Sequence, residues 1–121
     1  MKILLVSDIE SPYIWDNFQP EKFKDIDLMI SCGDLKSEYL SFLVTMIKAP
    51  LFYVYGNHNE SYFENPPEGC ESIDNKFVKY KNIRILGIGG CKGYGPKKLL
   101  FTDEEMKRKV RKMTRRILWN K

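Results

Sequence analysis

Asp8 and Glu10 stand two residues apart, directly after the apolar run Ile3-Leu4-Leu5-Val6-Ser7. A second apolar run, Leu28-Met29-Ile30-Ser31-Cys32, ends in Gly33-Asp34, and a third, Leu51-Phe52-Tyr53-Val54-Tyr55, ends in Gly56-Asn57-His58-Asn59. Alternation along a strand predicts that Asp8 and Glu10 point to the same side. Two carboxylates projecting together repel, and they are stable as a pair mainly when a cation lies between them. Asp34 adds a third oxygen ligand and Asn57 a neutral carbonyl oxygen. His58, the one histidine of the chain, can ligate a metal or move a proton near neutral pH. Oxygen-rich ligation with at most one imidazole favours Mn²⁺, Mg²⁺ or Fe²⁺ over a thiolate-type zinc site. Two such ions about 3.5–4 Å apart can clamp a phosphoryl group and activate a hydroxide for in-line attack. The residues therefore predict metal-dependent hydrolysis of a phosphate ester.

Such a site needs elements that bring the three run ends together. Residues 2–7 form a continuous apolar run, typical of a strand buried on both faces. A short helix is expected over 17–24, cut early by Pro20. A second strand spans 27–32. Ser37 is the candidate N-cap of a helix over 38–47 with Leu40, Leu43, Val44 and Ile47 on one face. Pro50 separates that helix from a third strand, 51–55. This β-α-β-α-β order predicts a parallel sheet with covering helices, and the carboxyl ends of its strands are where ligands bind in such sheets. Residues 59–75, with Pro66-Pro67 and Gly69, read as a loop. Residues 76–80 and 83–88 flank Lys81-Asn82 as a hairpin, and 89–96 read as a Gly-rich loop without P-loop spacing. Last comes a helix opened by Thr102 and Glu105 as a capping box, with Phe101 and Met106 as a staple. Met106, Val110, Met113 and Ile117 make its apolar stripe.

Length and composition bound the answer. The chain has 121 residues, one small domain over 1–121. No run reaches the roughly 18 apolar residues of a membrane span, and the N-terminus is too soon acidic for a signal peptide. A cytoplasmic setting is the expectation. Three cysteines without CxxC spacing argue against a disulfide framework and predict buried or half-buried thiols. Net charge is +4, but residues 1–91 hold 9 Lys/Arg against 13 Asp/Glu, and residues 92–121 hold 11 against 3. The basic character thus belongs to the last helix and not to the carboxylates. Its field could attract phosphates, acidic partners or nucleic acid. The helix reads most simply as a core stripe with a solvated cationic face, and because no aromatic side chain interleaves with its cations, neither nucleic acid nor a membrane is the expected partner.

Asp8-Ile9-Glu10, Gly33-Asp34-Leu35-Lys36-Ser37 and Gly56-Asn57-His58-Asn59 together resemble the first three motifs of the calcineurin-like metallophosphoesterases: D-x-H, G-D-x-x-D and G-N-H-D/E. The order agrees, and the intervals of 26 and 23 residues from Asp8 to Asp34 and on to Asn57 suit the family. The resemblance covers at least residues 2–59, and Ile88-Gly89-Gly90-Cys91 with the helix after it is similar to the family at that point. It implies that Asp34 bridges two metals, Asp8 binds the first and Asn57 the second, and His58 contacts the phosphate and serves the leaving group. Glu10 stands where the family has a metal-binding histidine, Ser37 replaces its second aspartate and Asn59 its following acid. The family's later histidines, including a G-H-x-H pair, have no counterpart here, so the resemblance implies a dinuclear site that is incomplete in this chain alone.

The expected fold is therefore an α/β half of a metallophosphoesterase-type sandwich: β-α-β-α-β, then a hairpin and a basic amphipathic helix. A half sandwich exposes an apolar sheet face or edge, so self-association or a complementing second chain is expected. The alternative is a non-catalytic interaction module of this fold, in which Glu10 is a solvated carboxylate and the strand-end polar residues are turn formers.

Overall fold

The computed structural model describes residues 1–11, 18–56, 60–92 and 100–119; among these the side chains of Glu60, Cys91, Lys92, Leu100 and Trp119 are not described. β1 (Ile3–Val6), β2 (Leu28–Ser31), β3 (Leu51–Tyr53) and β4 (Glu71–Ser72) form a four-stranded parallel sheet in that order. Ile3 pairs with Leu28 and Leu5 with Ile30, while Ile30 pairs with Phe52 and Tyr53 with Ser72. β4 lies inside the stretch expected to be loop. A two-residue strand has no period to read, and it forms because β3 offers a free edge beside it.

α1 (Ser37–Met46) covers one face of this sheet. Tyr39, Leu40, Leu43 and Ile47 bury against Met29, Leu51 and Tyr53, with Leu4 and Val6 packed alongside. Lys36, not Ser37, is the N-cap, and it makes no side-chain cap bond. Its carbonyl already accepts from the amides of Tyr39 (3.1 Å) and Leu40 (3.3 Å), so Ser37 falls within the first turn. The helix expected over 17–24 is, among the described residues, a single 3-10 turn over Pro20–Lys22. Proline serves at its first position because the amide it lacks has no partner there anyway.

The other face is covered by the hairpin of β5 (Lys76–Tyr80) and β6 (Ile83–Gly87), with Lys79 opposite Arg84. Leu28, Phe52 and Ile73 form its buried contact, joined by Ile30, Val54, Val78, Tyr80 and Ile85. Tyr80 packs edge-on to Phe52 and donates its hydroxyl to the Asp27 carbonyl at 3.2 Å. β1 lies beyond this cover. Leu4 and Val6 face the α1 side, but Ile3 and Leu5 stay 37% and 64% exposed on the hairpin side. The expectation of a strand buried on both faces is thus corrected for β1: the hairpin spans β2 and β3 and stops short of the sheet edge.

β7 (Cys91–Lys92) and β8 (Leu100–Phe101) form a short parallel pair, and α2 (Asp103–Trp119) follows. The capping box is present: the Thr102 amide donates to Glu105 Oε1 at 3.0 Å, and the Glu105 amide to Thr102 Oγ1 at 3.2 Å. These bonds hold the Glu105 carboxyl below its ordinary value. The apolar stripe is only partly used. Met113 is fully buried, yet Val110 is 47% exposed. Cys32 is exposed, against the expectation of a sheltered thiol. Cys70 is half-buried, and burial pushes its thiol up to about 11. No helix among the described residues is long and apolar enough to cross a membrane.

Candidate functional site

β1 ends at Val6, two residues before Asp8, and β2 at Ser31, three before Asp34. Their pairing continues past the strands. The Cys32 amide donates to the Val6 carbonyl at 2.9 Å, and the Asp8 amide to the Gly33 carbonyl at 3.0 Å. These two bonds carry Asp8 and the Gly33-Asp34 step together beyond the sheet. Asp8 and Asp34 both adopt left-handed backbone, at φ 66 and φ 64. That conformation is uncommon away from glycine, and it is found most often in turns and functional loops. The Ser7 hydroxyl donates to Asp8 Oδ2 at 2.5 Å, a charge-assisted bond that orients the carboxylate.

Gly33 and Gly56 meet where β2 and β3 end. A side chain on Gly33 would come within 2.7 Å of the Gly56 nitrogen, and one on Gly56 would overlap the Asp34 carboxylate. Glycine at 56 is therefore a steric requirement of the Asp34 position, and it puts the start of the Gly-Asn-His-Asn tract against that carboxylate. Asn57 and His58 themselves lie outside the described residues.

The alternation argument for Asp8 and Glu10 does not apply, because the chain bends after Val6. The Ile9 amide turns back to the Ser7 carbonyl at 2.7 Å, so residues 8–10 no longer follow a strand. Among the described residues no group of three His, Cys, Asp or Glu side chains is placed to hold a metal ion. Asp8 and Asp34 are the carboxylates joined by backbone bonding at this end of the sheet.

An aromatic wall beside Asp34 escaped the sequence reading. Tyr53, Tyr55 and Tyr62 stack edge-on at 5.5–6.2 Å, and Phe63 lies 5.0 Å from Tyr55. The Tyr62 hydroxyl donates to the carbonyl of Leu35, the residue after Asp34. Burial holds the Tyr62 phenol far above its ordinary value and pushes Tyr53 up to about 12. Both are therefore neutral hydrogen-bonding groups at any physiological pH. The signal was Tyr55 and Tyr62 flanking the Gly56 tract, whose approach no local period reports.

The end of β3 is also tied to the later chain. The Gly90 amide donates to the Tyr55 carbonyl at 2.6 Å, and the Gly89 amide to Asp74 Oδ1 at 2.7 Å. The Gly89 carbonyl in turn accepts from Lys109 Nζ at 2.8 Å. Gly89-Gly90 thus acts as a backbone junction between the candidate site and α2. No family model matches the chain, and no curated protein and no solved structure is found to be similar to it.

Proposed function

We propose that this chain is metallophosphoesterase-like and that its sheet end serves hydrolysis of a phosphomonoester or phosphodiester. The observation that carries the reading is the juncture of Asp8 with Gly33-Asp34, both aspartates left-handed and Gly56 packed on Asp34 without room for a side chain. It supports the order of the three motifs by bringing their first members to one place. Paired carboxylates at adjacent strand ends suit a hard divalent cation such as Mn²⁺, Mg²⁺ or Fe²⁺. In this reading Asp8 and Asp34 hold metal, with Glu10 and Asn57 as further ligands. A bound divalent ion would supply charge neutralisation and an activated water. His58 would contact the phosphate and protonate the leaving oxygen. The expected cytoplasmic setting belongs to the same proposal.

The test is hydrolysis of an aryl phosphate by the full chain with Mn²⁺ added. Turnover abolished by Asp34→Asn and reduced about 10²-fold or more by His58→Ala supports the reading. No turnover and no metal uptake by calorimetry overturns it for this chain alone.

A second reading, a half completed by another polypeptide or a second copy, is favoured by β1. Its outer edge has no strand partner among the described residues, and Met1, Ile3 and Leu5 are exposed on it. Unpaired edges with apolar side chains template further strands. Light scattering after size exclusion is expected to show association that Leu5→Lys weakens. A stable monomer at 100 µM that is indifferent to Leu5→Lys overturns this second reading.

A further inference from the structure

α2 carries Lys107, Arg108, Lys109, Arg111, Lys112, Arg115 and Arg116 after its acidic first turn. Two of these are engaged by the body of the protein. Lys109 donates to the Gly89 carbonyl, and Arg116 Nη1 to the Asn75 carbonyl at 2.6 Å. The other five, Lys107, Arg108, Arg111, Lys112 and Arg115, are exposed, and none forms an ion pair with a described residue. At 3.6 residues per turn they fall within an arc of about 140°, along about 12 Å of helix. The centre of that arc lies opposite Met113, which is fully buried against the body. The cations therefore lie on the outward face of the helix.

We propose that this ridge is a nucleic-acid backbone-binding surface, read without regard to base sequence. Five like charges crowded on one helix face repel one another, and a row of phosphates relieves that repulsion by releasing its counterions. A strand in B-form repeats its phosphate about every 3.4 Å along the axis, so the ridge spans roughly three to four of them. Arg108, Arg111 and Arg115 offer planar donors that take phosphate oxygens in pairs. Lys107, Arg108 and Arg111 line one recess along the ridge together with Glu104, and Arg108 and Lys112 help to line the next with Phe101 and Asn75. No aromatic residue stands between Lys107 and Arg116, so the contact proposed is with the phosphate backbone and not a base stack. A membrane fits less well. An interfacial helix turns its apolar face to the lipid, whereas α2 buries Met113 at the centre of its stripe and leaves only the separate side chains of Val110 and Leu118 exposed among its described apolar residues.

The proposal is independent of hydrolysis and is tested in EDTA. Binding of the full chain to labelled 20-nucleotide single-stranded and duplex DNA is followed by fluorescence anisotropy from 50 to 300 mM salt. The expected slope of log affinity against log salt is about −2 to −3.6, for three to four phosphates neutralised. Arg111→Glu with Arg115→Glu is expected to lower affinity by about tenfold or more and to flatten the slope. Lys24→Glu with Lys48→Glu, the same charge change far along the sequence, is expected to do neither. Circular dichroism checks folding, and Arg111→Gln with Arg115→Gln replaces the reversal pair if that pair unfolds. Absence of binding at 50 mM salt, or an equal loss in the Lys24/Lys48 variant, overturns the proposal. So does preference for polyglutamate, or for vesicles of phosphatidylcholine with 30% phosphatidylserine, over DNA.

Discussion

Lys109 Nζ lies 3.6 Å from Asp74 Oδ1, and both side chains are largely buried, at 14% and 17% exposure. The same ammonium donates to the Gly89 carbonyl and sits 4.3 Å above the Phe101 ring. One side chain thus fastens α2 to the loop after β4 and to the glycine junction at the end of β3. Removing one partner of a sheltered ion pair leaves the other charge without compensation. Lys109→Ala is expected to destabilise the chain by about 2–3 kcal/mol, somewhat less than a fully buried pair because some solvent reaches it. Urea unfolding followed by circular dichroism measures this. A loss under about 0.5 kcal/mol would mean that the contact does not anchor the helix.

Gly56→Ala tests the sheet end directly. A Cβ there would overlap the Asp34 carboxylate and come within 2.8 Å of the Asp34 nitrogen. The substitution should displace Asp34, and the strain is expected to cost about 1–3 kcal/mol. Mn²⁺ affinity, read by calorimetry, should fall along with stability. Gly69→Ala is the comparison: with φ 79 and its Cβ 3.0 Å from Val44 it is strained as well, but away from Asp34, so stability should fall while Mn²⁺ affinity holds.

Asp27 links the starts of β1 and β2. Its carboxylate accepts from the Lys2 amide at 2.8 Å and lies 3.7 Å from Lys81 Nζ. The Lys2 bond first, and then the Lys81 charge, hold the Asp27 carboxyl below its ordinary 3.8. A carboxyl lowered by folding contributes stability above its unfolded value and loses it as pH falls through the folded one. Asp27→Asn should therefore lower the melting temperature at pH 6, and its gap from the unsubstituted chain should narrow below pH 3.8. A gap that is constant from pH 6 to pH 2.5 would show that the carboxylate charge plays no part.

Much of the architecture was legible along the chain. The apolar runs at 3–6, 28–31 and 51–53 are strands, and the Thr102–Glu105 box caps α2 as its spacing predicts. These signals are local, since they rest on neighbours within a few residues. β4 was not legible: Glu71 and Ser72 become a strand only because Phe52 and Tyr53 lie alongside. The helix stripe was readable as a period but not as a contact. Where α2 docks depends on Lys109 and Arg116 reaching Asp74 and Asn75, and with Met113 buried that leaves Val110 outside.

The candidate site divides in the same way. The sequence alone determined which residue types end each strand, and hence the chemistry they could support. The tertiary structure decided which of them meet. Asp8 joins Asp34 because the β1–β2 ladder runs on through Gly33, whereas the bend at Ser7–Ile9 removes Glu10 from the strand's alternation. It also decided that β1 keeps one apolar side open, because the hairpin reaches only as far as β2. A single strand's alternation is written in its own residues, but cover and convergence depend on partners distant in sequence, and no local pattern encodes where those arrive.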